Sequence, residues 1–484
     1  MSDASESRAP TSAQGPAGKA AVDKFGAIET LGIDYIEPAQ RHGRPRELFT
    51  IWMGSNIAYI FILVGGLLPL LGLSILQSLA VLLLGNLFWA LVGFLAVSGP
   101  ATGSASVVVQ RAQYGMRGNR ILGAGVGWVT SIAYIAINLA VGTFAGLAFL
   151  ALVNVGDSTA LTIVVAIVVG IATFVIAVYG HATIARLSTW FSAGLGIGAL
   201  LLGFFVLQKA SFAPSEFVPL EGAELWVMVS IGFTAVAALP LSWPTGADYA
   251  RYLPASTSKF ATAAWTGLGG FVAAVVLGGI GVLAGSVVDM SDPQTSLQEI
   301  VPAWFYVVFL LILVVGSIAN NSLTAYSSGL AFQAMGIRWS RARSVIFDAF
   351  IGTVIALIAL LSDSFYSSLS TLLTLTVAYL GPSITIYAVD ILMRRNRYDA
   401  LGLHDDSPRS PFWFGGGVNW AGATAFILGT GAALLCVNTY VFVGPVANAL
   451  GGIDLTAIVG PLVAGLSFFI LTKITQGQPR GLGV

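Results

Sequence analysis

Charge is scarce in this chain. Lysine and arginine number 22, aspartate and glutamate 22, so charged residues make up 9% of 484. A soluble domain carries roughly 25%, and this little charge could not cover a water-exposed surface of such size. The formal net charge of +0 argues against a polyelectrolyte partner, nucleic acid included. Cysteine is nearly absent: Cys436 stands alone in an apolar run and can close no disulfide within the chain. Histidine is almost as rare, and His42, His181 and His404 are too far apart to form a metal-ligand cluster by sequence. An intramembrane enzyme would need a buried catalytic pair or metal cluster, and neither is visible. Glycine-rich strings such as Gly194–Gly198 lack the strand–helix context of a dinucleotide loop and read as tight helix packing.

Apolar length is what the chain has. Crossing ~30 Å of hydrocarbon takes about 20 apolar residues in a helix. Such stretches run over approximately 48–70, 75–98, 121–150, 159–180, 188–208, 224–242, 261–287, 303–331, 344–361, 366–390, 417–441 and 453–473. The expected fold is an all-α integral membrane protein with twelve transmembrane helices. Residues 1–46 are polar and lack the apolar core of a cleaved signal peptide. They read as a tail, disordered over 1–22, with the first apolar run as an uncleaved membrane signal.

The placement of basic residues supports twelve spans. With alternating loops, Arg41, Arg44 and Arg46, then Arg111, Arg117 and Arg120, then Arg186, Arg251 and Lys259 all fall on one side. Arg338, Arg341, Arg343, Arg394, Arg395, Arg397, Arg409, Lys473 and Arg480 join them. Lys209 alone falls opposite, in a loop with Glu216, Glu221 and Glu224. Basic loops face the cytoplasm, so both termini are expected there, in a multi-pass protein of the cell's plasma membrane.

Carboxylates near the spans, Asp248, Asp348 and Asp390, fall at predicted cytoplasmic ends, where water or headgroups would solvate them. None sits clearly at mid-membrane, where a buried charge usually marks a charge-handling path. That favours a neutral, polar substrate held by amides, hydroxyls and ring faces.

The polar residues inside spans are therefore the informative ones. Span 1 carries Gly54-Ser55-Asn56, poor helix formers that favour local unwinding; small-residue helix packing is the alternative. Span 3 carries Tyr134 and Asn138 on one helix face, suited to a flat hydrogen-bonding ligand or to gluing helices together. Span 6 carries Gly232-Phe233-Thr234 and Pro240; unwinding at the glycine would turn Phe233 into a cavity, and otherwise Phe233 is packing. Span 8 carries Asn320-Asn321-Ser322-Leu323-Thr324. Its amides donate and accept at once, as the edge of a nucleobase requires. Spans 1 and 6, and 3 and 8, are five apart. Inverted-repeat transporters show that spacing, with broken helices in both halves and a midplane site between them.

The stretches Ile51–Asn56 (IWMGSN), Ser98–Gly103 (SGPATG), Gly246–Pro254 (GADYARYLP) and Ala319–Gln333 (ANNSLTAYSSGLAFQ) give the chain its resemblance to the purine–cytosine permease family of nucleobase:cation symporters. The similar pattern extends over about residues 25–470. The resemblance implies a leucine-transporter-like fold of five plus five inverted helices and two more. Residues 1–46 would be the tail, 47–210 and 211–391 the repeats, 392–416 a cytoplasmic loop, and 417–484 helices 11 and 12 with a short tail. It implies a base stacked between Tyr134 and Phe233, beside Gly232, with Ser55 or Asn56, Asn138, Asn320, Asn321 and the neighbouring Thr324 supplying polar contacts. A cation site would lie near Gly54, Ser55 and Ser317. No cofactor is implied beyond a coupling ion, sodium or proton.

Departures from the family pattern bear on substrate and ion. Tyr134 stands where tryptophan is frequent, and Thr324 where some relatives have asparagine. A fourth-helix glutamate of those relatives has no counterpart in 159–180, and within 315–319 only Ser317 carries a hydroxyl. The reading is a cation-coupled importer of cytosine, a purine or a similar neutral heterocycle. The alternatives are a same-fold permease for an amino acid or other small metabolite, and a receptor that binds without flux. The expected partners are that small molecule and membrane lipid.

The topology is testable. In a Cys436→Ser background, Glu221→Cys is expected to react with an impermeant maleimide on intact cells, and Arg343→Cys only after permeabilisation. The reverse pattern would invert the topology.

Overall fold

The structure, a computed structural model, describes residues 25–29, 31–156, 158–211, 219–290, 296–361, 365–439, 441–477 and 480–482, without the side chains of 365–373. The disorder expected for residues 1–22 lies outside the described residues. Regular structure among the described residues is helical, with two isolated β-bridges, Gly415–Val418 and Asn438–Val443.

The predicted spans appear in order. The first is a pair, α1 (Arg46–Asn56) and α2 (Tyr59–Leu70). The second is α3 (Ile75–Asn86) with α4 (Trp89–Ala96). The third to sixth are α5 (Val126–Leu152), α6 (Thr159–Tyr179), α7 (His181–Lys209) and α8 (Gly222–Leu241). The seventh to tenth are α9 (Lys259–Ala284), α10 (Ala303–Ala334), α11 (Arg341–Leu360) and α12 (Phe365–Arg394). The last two are α13 (Trp420–Cys436) and α14 (Thr456–Gln476). Among the described residues, ten helical stretches are long and apolar enough to cross a membrane, and α1 with α2, bent by 63°, makes an eleventh. The count of twelve is reached with α13, an apolar helix of 17 residues.

Apolar side chains such as Trp190, Leu200, Phe350 and Ile358 face outward on α7 and α11, the surface that lipid would cover. Inside, α5, α6, α10 and α11 pack on one another, while α1, α2 and α4 pack on α9. Small residues bring the second group together. A Cβ added at Gly281 would stand 2.2 Å from the carbonyl oxygen of Ile62, so α9 and α2 touch backbone to backbone.

Loops predicted to share a side do meet. Arg41 Nη1 donates to Pro100 O (2.8 Å), Arg111 Nη1 to Leu403 O (2.7 Å), and Ser104 Oγ lies 2.9 Å from His404 Nε2. Burial, with Arg111 and Arg251 nearby, pushes the His404 imidazole down to about 3, so that contact is made by the neutral ring. On the opposite side, Lys209 Nζ reaches Glu299 O (2.6 Å) and Thr234 Oγ1 donates to Asp454 (2.9 Å).

The tail does not simply leave the bundle. The described residues between Gly26 and Arg41 lie across the arginine-rich ends of the helices. Glu29 N donates to Tyr179 O (3.0 Å), Ile33 N to Gln333 Oε1 (3.2 Å) and Ile36 N to Gly103 O (3.0 Å). The Glu29 carboxylate is buried between Arg251 (3.3 Å), at the far end of the sixth span, and Arg341 (3.7 Å), at the start of α11. It also accepts from His181 N (2.8 Å), Tyr326 (3.2 Å) and Tyr252. One acid thus neutralises two buried guanidiniums from different helices. Removing one partner of a buried ion pair costs about 3–5 kcal/mol. Glu29→Ala is therefore expected to speed thermal inactivation in detergent markedly, while Glu37→Ala, at an exposed position, leaves it unchanged. Equal half-lives for the two variants would contradict this role.

Candidate functional site

The break in the first span follows from its residues. α1 ends at Asn56 because two side chains compete with the helix for one carbonyl: Ser55 Oγ (3.1 Å) and Asn56 Nδ2 (2.7 Å) both donate to Trp52 O. The last carbonyls of α1 then lack helical donors, and inside a membrane the protein must supply them. Asn320 Nδ2 of α10 donates to Ser55 O (2.8 Å), and Asn138 Nδ2 of α5 donates to Asn320 Oδ1 (2.8 Å). Three predicted site residues form one chain across α5, α10 and α1. Gly316 lets α10 come this close, since a Cβ there would stand 2.4 Å from Ile57 O. Asn321 turns the other way and donates to Ile135 O (3.1 Å). Among the described residues, Asn56 Oδ1 and Asn321 Oδ1 are buried without a hydrogen-bond partner.

The break in the sixth span is not where glycine suggested. Gly232 and Phe233 lie within the continuous helix α8. Gly232 packs on Leu68, and Phe233 stands 6.2 Å, ring to ring, from Phe88. The chain leaves the helix at Ser242–Thr245 and resumes in the short helix Gly246–Ala250. Proline explains the difference. Pro240 and Pro244 each remove a backbone donor and restrict the residue before them, whereas a glycine between apolar neighbours is kept helical by packing.

This break borders a cleft between α5, α10 and the segment 242–248. Tyr134 and Thr324 line it, with Trp243, Ser242, Ser327 and Asp248. Tyr134 and Ser242 join at 2.7 Å between their hydroxyl oxygens; Ser242 gives its proton to Ala238 O, so Tyr134 is the donor. Thr324 Oγ1 donates to Asn320 O (3.2 Å), linking the cleft to the amide chain. The expected ring pair of Tyr134 and Phe233 is therefore not assembled, and the second aromatic wall is Trp243. Trp243 was legible as an aromatic residue set between two prolines.

Asp248, Asp348 and Asp390, expected to be solvated, are all buried. Asp348 accepts from Trp128 Nε1 (2.8 Å), and Asp390 pairs with Arg394 (2.7 Å). Asp248 accepts from Ser106 N (2.8 Å) and Ser327 Oγ (2.7 Å). Protein groups replaced water: the segment carrying Ser106 meets Asp248, the loop carrying Tyr398 meets Asp390, and α5 meets Asp348. Of the residues considered for a cation, Ser55 offers a carbonyl that Asn320 of α10 already holds. Gly54 faces α7, where a Cβ would stand 2.8 Å from Ser188 O, and Ser317 lies beside Gly142 of α5. Among the described residues no three His, Cys, Asp or Glu side chains converge.

Comparison with known proteins is consistent with this geometry. Residues 35–460 match a family described as permeases for cytosine/purines, uracil, thiamine and allantoin. The chain is 25% identical over 469 residues to a Bacillus subtilis (strain 168) protein, YxlA, a purine–cytosine permease by name; 92% of this chain and 96% of that one are covered. Its fold is similar to that of Mhp1, a nucleobase-cation-symport-1 family transporter solved in a closed conformation with bromovinylhydantoin (TM-score 0.69, 17% identity, 92% of this chain and 96% of that). A Na+-coupled sialic acid symporter shares the fold more distantly (TM-score 0.60, 11% identity, 92% of each chain). The helices, the two broken spans and the match over most of the chain agree: the protein belongs to the cytosine/purine, uracil, thiamine and allantoin permease family.

Proposed function

We propose that this permease imports a nucleobase, cytosine or a purine, or a similar neutral heterocycle, coupled to a cation. The observation that carries the reading is the pair of aromatic residues, Tyr134 and Trp243, on one cleft where a broken span meets an amide-bearing helix. A flat ring stacks on such faces, each worth roughly 1–3 kcal/mol. Thr324 and Ser242, on the cleft wall, offer hydrogen bonds that discriminate between bases, and the Asn320–Asn138–Ser55 chain holds the helices that carry them. Bromovinylhydantoin, bound by the structural relative, is the kind of flat ring with N–H and C=O groups that this chemistry suits.

Transport follows alternating access. The repeats are assigned to residues 47–210 and 211–391, followed by α13 and α14. The protein sits in the plasma membrane with both termini cytoplasmic. An amino-acid permease would need a cationic or free-amide host for a carboxylate. Among the described residues this cleft has no lysine or arginine in its lining.

The test is uptake of radiolabelled cytosine, adenine, hypoxanthine, uracil and allantoin into proteoliposomes under sodium or proton gradients. Accumulation of at least one is expected; none, from folded protein, would overturn the reading. Tyr134→Ala and Trp243→Ala are each expected to weaken binding by roughly 5- to 150-fold, the equivalent of one stacking face. Phe233→Ala, packed away on Phe88, should leave binding within about twofold of wild type. A Phe233→Ala loss as large as that of Trp243→Ala would return the second ring to Phe233.

A further inference from the structure

Among the described residues the cleft is lined by one carboxylate, Asp248. It lies on Gly246–Ala250, just past the break in the sixth span. Among the described residues no cation stands within ion-pair distance of it. The guanidinium of Arg251, on the same segment, is engaged elsewhere: by Gly32 O (2.7 Å), the Tyr326 hydroxyl (2.9 Å) and Glu29 (3.3 Å). The other titratable groups that face Asp248 are Tyr249 on its own segment and Tyr387 on α12, whose hydroxyl is 2.7 Å from Ser98 Oγ. An unpaired carboxylate is costly whenever the cleft shuts out water.

The hydrogen bonds around it accommodate either charge state. Oδ1 accepts from the backbone N–H of Ser106 (2.8 Å), a group that can only donate, so this oxygen stays an acceptor. Oδ2 faces Ser327 Oγ (2.7 Å), a hydroxyl that can donate or accept. Ser327 Oγ is in turn 3.2 Å from the Tyr249 hydroxyl, whose own proton goes to Leu323 O (2.9 Å). When Asp248 is ionised, Ser327 donates to it. When a proton arrives from water on Oδ2, that O–H donates to Ser327 Oγ and the serine proton rotates to Tyr249 Oη. No donor or acceptor is orphaned in either state.

We propose that Asp248 is the proton-binding group that couples transport to a proton gradient, taking a proton at Oδ2 when the cleft closes and releasing it when the cleft opens to water. This rests on reading the cleft as the transport site. The residues 246–250 carry the carboxylate against α10, so its hydration changes whenever the sixth span moves relative to that helix.

The experiment uses sodium-free proteoliposomes and radiolabelled cytosine, adenine, hypoxanthine, uracil and allantoin in turn. Exchange of labelled for unlabelled base at equal pH tests the permease reading alone. An inward gradient of about one pH unit is then expected to drive up to about tenfold accumulation by wild type for one proton. The exchange rate should show one pH step, absent in Asp248→Asn at whatever rate that variant retains. Ser327→Ala, which keeps the carboxylate but removes its partner, should shift the midpoint of the step. Exchange without proton-driven accumulation by wild type would overturn the proposal and leave the permease reading intact. So would an unmoved step in Ser327→Ala, or a surviving one in Asp248→Asn. Exchange that appears only when sodium is added would also overturn the proposal alone, whereas no exchange of any base with or without sodium would strike the permease reading itself.

Discussion

Backbone groups exposed in hydrocarbon must be satisfied by the protein, and in this fold that burden falls on Asn320. Its amide holds the open end of α1 through Ser55 O and accepts from Asn138 at the same time. Without it, the first span would have to close into a continuous helix or bury an unpaired carbonyl, which costs several kcal/mol by the usual scale. The break, the close approach of Gly316 to Ile57 and the joint between α5 and α10 all meet at this one side chain.

A second set of contacts governs how the halves sit together. α5, α6, α10 and α11 form one packed group, and α1, α2, α4 and α9 another. The Glu29 cluster ties the end of the sixth span, through Arg251, to α10 and α11, through Tyr326 and Arg341. Rocking one group against the other would have to part these ions or carry the strap along. Asp248 lies one turn from Arg251, against Ser327 of α10, so the proposed proton site and the ion cluster report on the same joint.

Much of the fold was legible in the sequence because lipid imposes a simple rule: long apolar runs, with arginine on one side. The asparagine pair was legible because an amide deep in such a run is expensive unless satisfied, and Asn320 does satisfy the first span. The sixth-span break was misplaced because glycine only permits unwinding, whereas Pro240 and Pro244 enforce it. Trp243 was missed with it. Glu29 was hidden in a polar tail that gives no apolar signal; its burial depends on Arg251 and Arg341, more than 200 residues away. Asp248 and Asp390 were placed correctly at helix ends, but hydropathy cannot tell that folded loops, not water, would meet them there.

The account rests on a base lying between two specific rings. The most direct measurement is a structure solved with a base that the protein transports. The account predicts the ring plane between Tyr134 and Trp243, with its edge toward Thr324. A base stacked on Phe233, against α2 and α3, or bound outside the cleft would contradict it.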